Sequence, residues 1–251
     1  MDNGKLTTLT KHITTHSTST LEVVYTNDPK TVERIIKKYK EWLKEETNKF
    51  AGLDLEYTRK SSYIRQGIAV VQLAMREHVL VYRYCRSERS QALLDFLQCK
   101  AVTFSSVDTR GDNTMLARAW IKILDEHHVD IQRQFCIKGG GERDSMGDLA
   151  AAIINPSYKN MKKSFPKEKH QFSEWKPLSP LHLEYATKDG YVSYELYRRI
   201  LIIKHELRHL HQQPMKEILH PRKNKDDRCS SGWKRRRETM VGKLRENGCL
   251  H

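Results

Sequence analysis

Several features that would place the chain in a secreted, membrane or zinc-ribbon class are missing from the sequence. The five cysteines are scattered and form no Cys-x-x-Cys pair, which predicts free thiols in a reducing compartment and no zinc ribbon. No apolar run approaches the roughly 18 residues that span a bilayer, and the start lacks the apolar segment of a signal peptide. Glycines 139–141 are not followed by Gly-Lys-Ser/Thr, so they predict a hinge and no P-loop. We therefore expect an intracellular protein of the cytoplasm or nucleus, with no membrane partner.

Positive charge dominates the composition. The chain of 251 residues carries 45 Lys and Arg against 31 Asp and Glu, a formal net charge of +14. This imbalance favours a polyanionic partner such as nucleic acid. Residues 1–20 and 212–251 are polar, so they predict a disordered N-terminal arm and a basic, disordered C-terminal tail around one domain over residues 21–211. The run Lys234-Arg235-Arg236-Arg237 in that tail is interpreted first as solvated charge, with a nuclear address or a nucleic-acid contact as alternatives.

The hydrophobic pattern predicts an α/β domain with a mixed sheet flanked by helices. Residues 50–58, 67–74 and 78–84 have the pattern of three consecutive antiparallel strands, the last two forming a hairpin. Strands and helices then alternate, as crossovers to parallel strands require. We expect five strands, with residues 129–135 a further candidate. The other predicted elements are strands at 21–25 and 100–104 and helices at 30–46, 91–98, 112–124, 145–154 and 181–211.

Asp54 and Glu56 are the first candidate metal ligands. Alternate side chains of a strand share a face, so these two carboxylates project together. They repel each other unless a cation lies between them, and hard divalent ions such as Mg²⁺ or Mn²⁺ prefer carboxylate oxygens. An ordinary surface strand with acidic residues facing water explains the same tripeptide, so the choice depends on the rest of the chain.

Three further residues could complete such a site. Asp112 begins a predicted helix, where complementing the helix dipole is by itself a sufficient explanation. Tyr185 and Asp189 are four residues apart and therefore share one face of the last helix. Spacing shows only that these groups could converge with Asp54 and Glu56.

Taken in order, these motifs resemble a known family. Leu-Asp-Leu-Glu at 53–56, Gly-Asp-x-x-x-Leu at 111–116 and Tyr-x-x-x-Asp at 185–189 resemble the DnaQ-like 3′–5′ exonucleases of the ribonuclease H-like class. Residues 172–179, Phe-Ser-Glu-Trp-Lys-Pro-Leu-Ser, resemble a stretch of the Werner-type subgroup, and of the plant Werner-like exonucleases in particular. Tyr57 stands where animal Werner proteins have Trp. The resemblance implies a ribonuclease H-like mixed sheet of three antiparallel and then parallel strands.

The resemblance also implies the chemistry. Asp54, Glu56, Asp112 and Asp189 would hold two divalent cations, Mg²⁺ or Mn²⁺, with Asp54 contacting both. Tyr185 would be the fifth catalytic residue, and its hydroxyl would orient the attacking water. The implied activity releases nucleoside 5′-monophosphates from the 3′ ends of single-stranded or 3′-recessed RNA or DNA, with RNA the first guess. Ring-shaped homo-oligomers are implied too.

Basic and aromatic side chains near these motifs are candidates for nucleic-acid binding. Cations would contact phosphates and aromatic rings would stack on terminal bases, both with little sequence preference. Packing in the protein interior is the alternative role for each aromatic ring. The candidates are Tyr57, Arg59, Lys60, Lys162, Lys163 and Trp175.

Two other functions are compatible with the sequence. His205-Glu206-Leu207-Arg208-His209 is a literal His-Glu-x-x-His, the zinc motif of metalloproteases. No third ligand follows in a His-x-x-Gly-x-x-His arrangement, which weakens this interpretation. The second alternative is a non-catalytic nucleic-acid-binding protein on the same fold, whose mark would be the loss of an acidic ligand. None of the four is lost.

Overall fold

The structure is a computed structural model that describes residues 6–59, 65–86, 88–135, 144–162, 165 and 176–212. The chain divides into two compact units, residues 1–202 and 203–251. The first unit contains the sheet and its helices. In the second, the described residues are 203–212, the last turns of the final helix.

A mixed sheet forms the centre of the first unit. In the described part of the chain it has seven strands in the order β1-β2-β5-β4-β3-β6-β7. Strands β3, β4 and β5 are consecutive and antiparallel, whereas β2–β5, β3–β6 and β6–β7 pair in parallel. This arrangement confirms the predicted α/β class and the three antiparallel strands. The strands are β1 (Thr8–Thr14), β2 (Thr20–Thr26), β3 (Phe50–Tyr57), β4 (Ile68–Met75), β5 (His78–Tyr82), β6 (Thr103–Ser106) and β7 (His128–Asp130).

Helices connect and cover the strands. The helix α1 (Pro29–Glu45) begins at Asp28, whose carboxylate accepts from the backbone N–H groups of Lys30 and Thr31. Its Tyr39 is fully buried and donates to the carbonyl oxygen of Leu73 on β4 at 3.0 Å, which anchors α1 to the sheet. The other helices are α2 (Gln91–Leu97), α3 (Thr109–Arg118), α4 (Ile131–Gln134), α5 (Met146–Ile153) and α6 (Pro180–Gln212). Among the described residues, no helix is both long and apolar enough to cross a membrane.

The expected disorder of residues 1–20 is wrong for β1. This strand pairs with β2 along its whole length, from Thr8 opposite Thr26 to Thr14 opposite Thr20. Its side chains are almost all exposed, so the strand lacks the apolar alternation by which a strand is recognised. Pairing to β2 and the β-branched threonines stabilise it instead. Because β1 and the short β7 extend the two edges, the sheet is wider than the expected five strands.

Two predicted elements end earlier than expected. Residues 129–135 do not continue as a strand, because the Asp130 carboxylate accepts from the backbone N–H of Gln132 and begins α4. The helix α3 ends at Arg118 and not at residue 124. There Trp120 adopts a left-handed φ of 59°, and Ile121 N–H closes back on the carbonyl oxygen of Leu116 at 2.9 Å, the pattern of a Schellman stop.

Some predicted features lie outside the described residues. These are the glycine run 139–141, the basic tail beyond 212, Lys60, Lys163, Trp175 and three of the cysteines, at positions 136, 229 and 249. Cys85 and Cys99 are described, and neither forms a disulfide bond with a described residue.

Two glycines let α6 approach the sheet closely. A Cβ atom on Gly52 of β3 would lie 2.5 Å from the backbone N of Tyr194 and 2.8 Å from the carbonyl oxygen of Gly190. A Cβ atom on Gly190 would lie 2.8 Å from Cβ of Gln72 on β4. Contacts below about 3 Å with backbone atoms cannot be relieved by rotating a side chain, so any larger residue would push the helix off the sheet.

We predict that Gly52→Ala lowers the free energy of unfolding by about 1–3 kcal/mol, because the added methyl overlaps the backbone of α6. Gly67→Ala is the matched control, since a Cβ atom there meets nothing within 4 Å. Urea unfolding followed by circular dichroism measures both. Equal stabilities for the two variants would contradict the close approach of α6 to β3.

Candidate active site

Three carboxylates converge on the face of the sheet that α6 covers. Asp54, Glu56 and Asp189 each offer an oxygen, and these oxygens all lie within 4.8 Å of one another. The strand β3 presents Asp54 and Glu56 on the same face as Gly52, as its two-residue period requires. Asp189 immediately precedes Gly190, so the close approach of α6 delivers its carboxylate to the other two. Glu56 and Asp189 are buried, and Asp54 is partly exposed.

Burial makes this concentration of negative charge unfavourable. The pKa of Asp54 is raised well above its usual value by burial and then by the Asp189 and Asp112 carboxylates. Burial likewise raises the pKa of Glu56, followed by repulsion from Asp54 and Asp189. Oδ1 of Asp189 is buried and has no hydrogen-bond partner among the described residues. A divalent cation would satisfy that oxygen and neutralise the repulsion, so the donor set fits a hard metal ion.

Lys162 lies against the same carboxylates. Its Nζ is 3.1 Å from Oδ2 of Asp189, and Asp54 and Glu56 are also within electrostatic range. The side chain remains 45% exposed, so it can reach solvent as well as the cluster. The sequence predicted Lys162 as a nucleic-acid contact, and its position beside Asp189 was not expected.

Tyr185 lies one turn before Asp189 and hydrogen-bonds to its carboxylate. Its ring stacks on Phe165 with centroids 4.1 Å apart. The pKa of the Tyr185 hydroxyl is raised by burial, then by Asp189, Glu56 and Asp54. The hydroxyl therefore stays protonated and can donate a hydrogen bond at neutral pH.

Asp112 stands beside the three-carboxylate cluster and is held by Tyr57. It is buried in the first turn of α3, and the Tyr57 hydroxyl donates to its Oδ1 at 2.5 Å. The β3–β4 register shifts between Glu56 and Tyr57, and a Cβ atom on Gly111 would lie 2.9 Å from the Tyr57 hydroxyl. Burial raises the pKa of Asp112 to about 6, although the Tyr57 hydrogen bond opposes the shift. Tyr57 thus orients Asp112, and stacking on bases stays a prediction for this ring.

A pocket opens beside Asp189 and contains residues that sequence reasoning missed. One of them is His16, from the residues expected to be disordered; its carbonyl oxygen accepts from Ser157 Oγ at 2.6 Å. Phe165 is another, and no sequence signal distinguished it in its basic loop. Both come to the site through contacts that are distant in the chain. The lining residues are His16, Met161, Phe165, Leu181, Glu184, Tyr185, Lys188 and Asp189.

Of the remaining predicted residues, none that the structure describes belongs to the group of carboxylates able to hold a metal. Arg59 is exposed directly after β3, while Lys60, Lys163 and Trp175 lie outside the described residues. In the second unit, the His205 and Glu206 side chains of the zinc motif are 67% and 54% exposed. The side chain of His209 is not described. Among the described residues, the group able to hold a metal consists of carboxylates alone.

Solved structures share this fold. The Nibbler exonuclease domain of Aedes aegypti has a TM-score of 0.51 at 18% identity, covering 73% of this chain and 90% of that one. Escherichia coli RNase D, an exoribonuclease involved in structured RNA processing, has a TM-score of 0.53 at 14% identity, covering 73% of this chain and 44% of that one. Trypanosoma brucei RNase D, in complex with RNA U12, has a TM-score of 0.54 at 12% identity, covering 85% and 78%.

No family model and no curated protein matches the chain. At identities of 12–18%, the structural similarities establish the fold. The chain has the ribonuclease H-like mixed sheet of these exonuclease domains, and the predicted fold class is confirmed.

We predict that Asp54→Asn melts at a higher temperature than wild type in EDTA, by about 2–4 °C for each kcal/mol of repulsion relieved. The folded protein holds the Asp54 proton more tightly than the unfolded chain. The stabilising contribution of this group is therefore present below its unfolded pKa and is lost as pH rises through the raised folded pKa. The advantage of the variant should be larger at about pH 8 than at about pH 5.

Differential scanning fluorimetry in EDTA and in Mn²⁺ measures this effect. Added Mn²⁺ should stabilise wild type more than Asp54→Asn. Asp95→Asn, an exposed residue of α2 that accepts from Gln91, is the control and should match wild type in both buffers. A variant at position 54 that is less stable than wild type in EDTA would argue against repulsion in the cluster.

Proposed function

We propose that the chain is a divalent-metal-dependent 3′–5′ exonuclease that releases nucleoside 5′-monophosphates from nucleic acid. The observation that carries this proposal is the convergence of Asp54, Glu56 and Asp189 in a fold shared with exonuclease domains. Asp112 and Tyr185, the other two residues of the family motifs, lie beside this cluster. The proximity of these five residues supports a common role for them.

The four acidic residues would hold two divalent ions, Mg²⁺ or Mn²⁺. Asp54, Glu56 and Asp189 form one ligand group. Asp112 would complete the second group together with Asp54. The charge of Asp112 raises the pKa of Asp54. When bound, such ions acidify the attacking water and neutralise charge on the scissile phosphate.

The protein's own residues would orient the reactants. The protonated hydroxyl of Tyr185 can donate to or position the attacking water, as its place beside Asp189 allows. Tyr57 holds the Asp112 carboxylate in one orientation, which limits the reorganisation needed when a substrate binds. Arg59, exposed after β3, would contact the phosphate backbone together with Lys60, Lys163 and Lys162, and Trp175 would stack on a base.

RNA is the substrate we propose first. Of the proteins that share the fold, Escherichia coli RNase D is an exoribonuclease, and Trypanosoma brucei RNase D has been solved with RNA. Single-stranded or 3′-recessed DNA is the alternative.

The narrower assignment to the plant Werner-like subgroup, together with its ring-shaped homo-oligomers, rests on the sequence motifs. We propose that the protein acts in the cytoplasm or nucleus, because its cysteines are scattered and because residues 234–237 form a basic run.

We predict that Asp54→Asn and Glu56→Gln each lower the rate of 3′–5′ degradation by roughly 10²–10³-fold, because each removes a carboxylate that would hold the cations stabilising the transition state. The substrates are 5′-labelled single-stranded RNA and DNA, each with a free or a blocked 3′ end, in Mg²⁺ or Mn²⁺. A ladder shortening from the 3′ end and stopped by the block is expected.

Glu206→Gln is the control, since only the zinc-protease alternative requires that residue, and it should degrade RNA at the wild-type rate. Wild type that binds RNA in Mn²⁺ without shortening it would favour the non-catalytic binding protein and overturn the proposal.

A further inference from the structure

The position of Lys162 relative to the carboxylates is set by its neighbours in the chain. Met161 before it is buried, and so is Phe165 after it, which stacks on Tyr185. The backbone N–H of Phe165 donates to the carbonyl oxygen of Lys162 at 3.2 Å. The backbone of Lys162 is thus fixed between two buried anchors, and only its side chain extends to Asp189.

The ammonium group occupies the place of a cation. Nζ lies 3.1 Å from Oδ2 of Asp189 and 5.6 Å from the centre of the Tyr185 ring. It compensates part of the charge of Asp54 and Glu56 as well. An ammonium and a divalent ion cannot share the same carboxylate oxygens without strong repulsion, because like charges a few ångströms apart interact strongly away from bulk water.

We propose that Lys162 is a built-in counter-cation of the carboxylate cluster, which must leave Asp189 before a divalent metal ion can load. This inference rests on the proposed function, since it concerns the same metal site. Lys162 stabilises the metal-free protein by neutralising the cluster and thereby weakens metal binding. Its half-exposed side chain gives it a route from Asp189 into solvent, while its anchored backbone keeps it next to the site.

Removing the charge of Lys162 tests this competition. We expect Lys162→Met to bind Mn²⁺ about tenfold more tightly than wild type, or tighter still, because the competing charge is gone. Electron paramagnetic resonance of free Mn²⁺ during a titration gives the affinity without reference to catalysis. In EDTA the same variant should melt below wild type, and saturating Mn²⁺ should abolish that difference.

Two variants serve as comparisons. Lys159→Met removes the same charge three residues earlier, where the side chain is 64% exposed and its Nζ pairs with Asp148. This variant should bind Mn²⁺ as wild type does. Lys162→Gln is a second neutral variant, for use if the methionine variant fails to fold. Its polar side chain keeps the position hydrated.

The outcomes separate the two proposals. If the neutral variants at position 162 bind Mn²⁺ no more tightly than wild type, and wild type degrades RNA, the counter-cation role is wrong and the exonuclease proposal stands. Weaker RNA binding with unchanged Mn²⁺ affinity would make Lys162 a phosphate contact only, and it would also overturn the inference. Wild type that neither binds Mn²⁺ nor degrades RNA would overturn both.

Discussion

Repulsion among three closely spaced carboxylates is the constraint on which the rest of the site depends. Gly52 and Gly190 bring α6 so close to β3 that Asp189 joins Asp54 and Glu56 within 4.8 Å. Burial in this arrangement raises the pKa values of both β3 carboxyls. A fold selected for stability alone would separate these charges, so their proximity is informative about function. The same packing contact therefore both holds the helix to the sheet and creates the need for cations.

The surrounding groups compensate the negative charge of the carboxylates in different ways. Tyr57 and Tyr185 donate hydrogen bonds to Asp112 and Asp189, the two acidic residues that come from helices. Lys162 adds a positive charge that can move away, unlike the fixed donors. The result is a site whose carboxylates are oriented before any ion arrives, which reduces the reorganisation that metal and substrate binding would require.

Local periodicity was sufficient to predict much of this arrangement. The two-residue period of β3 placed Asp54 and Glu56 on one face, and the helical period of α6 placed Tyr185 beside Asp189. Features that depend on long-range contacts could not be predicted in this way. The strand β1 lacks an apolar pattern because both of its faces are largely exposed. The contacts of Tyr57 with Asp112 and of Lys162 with Asp189 join residues that are 55 and 27 positions apart. The local sequence pattern does not predict either contact.

Anomalous diffraction from crystals grown with Mn²⁺ would locate the ion without any assumption about the reaction. We expect manganese peaks at direct coordination distance, about 2.0–2.3 Å, from oxygens of Asp54, Glu56 and Asp189. A protein that binds Mn²⁺ at His205 or elsewhere, and leaves the three carboxylates without an ion at saturating concentration, would contradict this expectation.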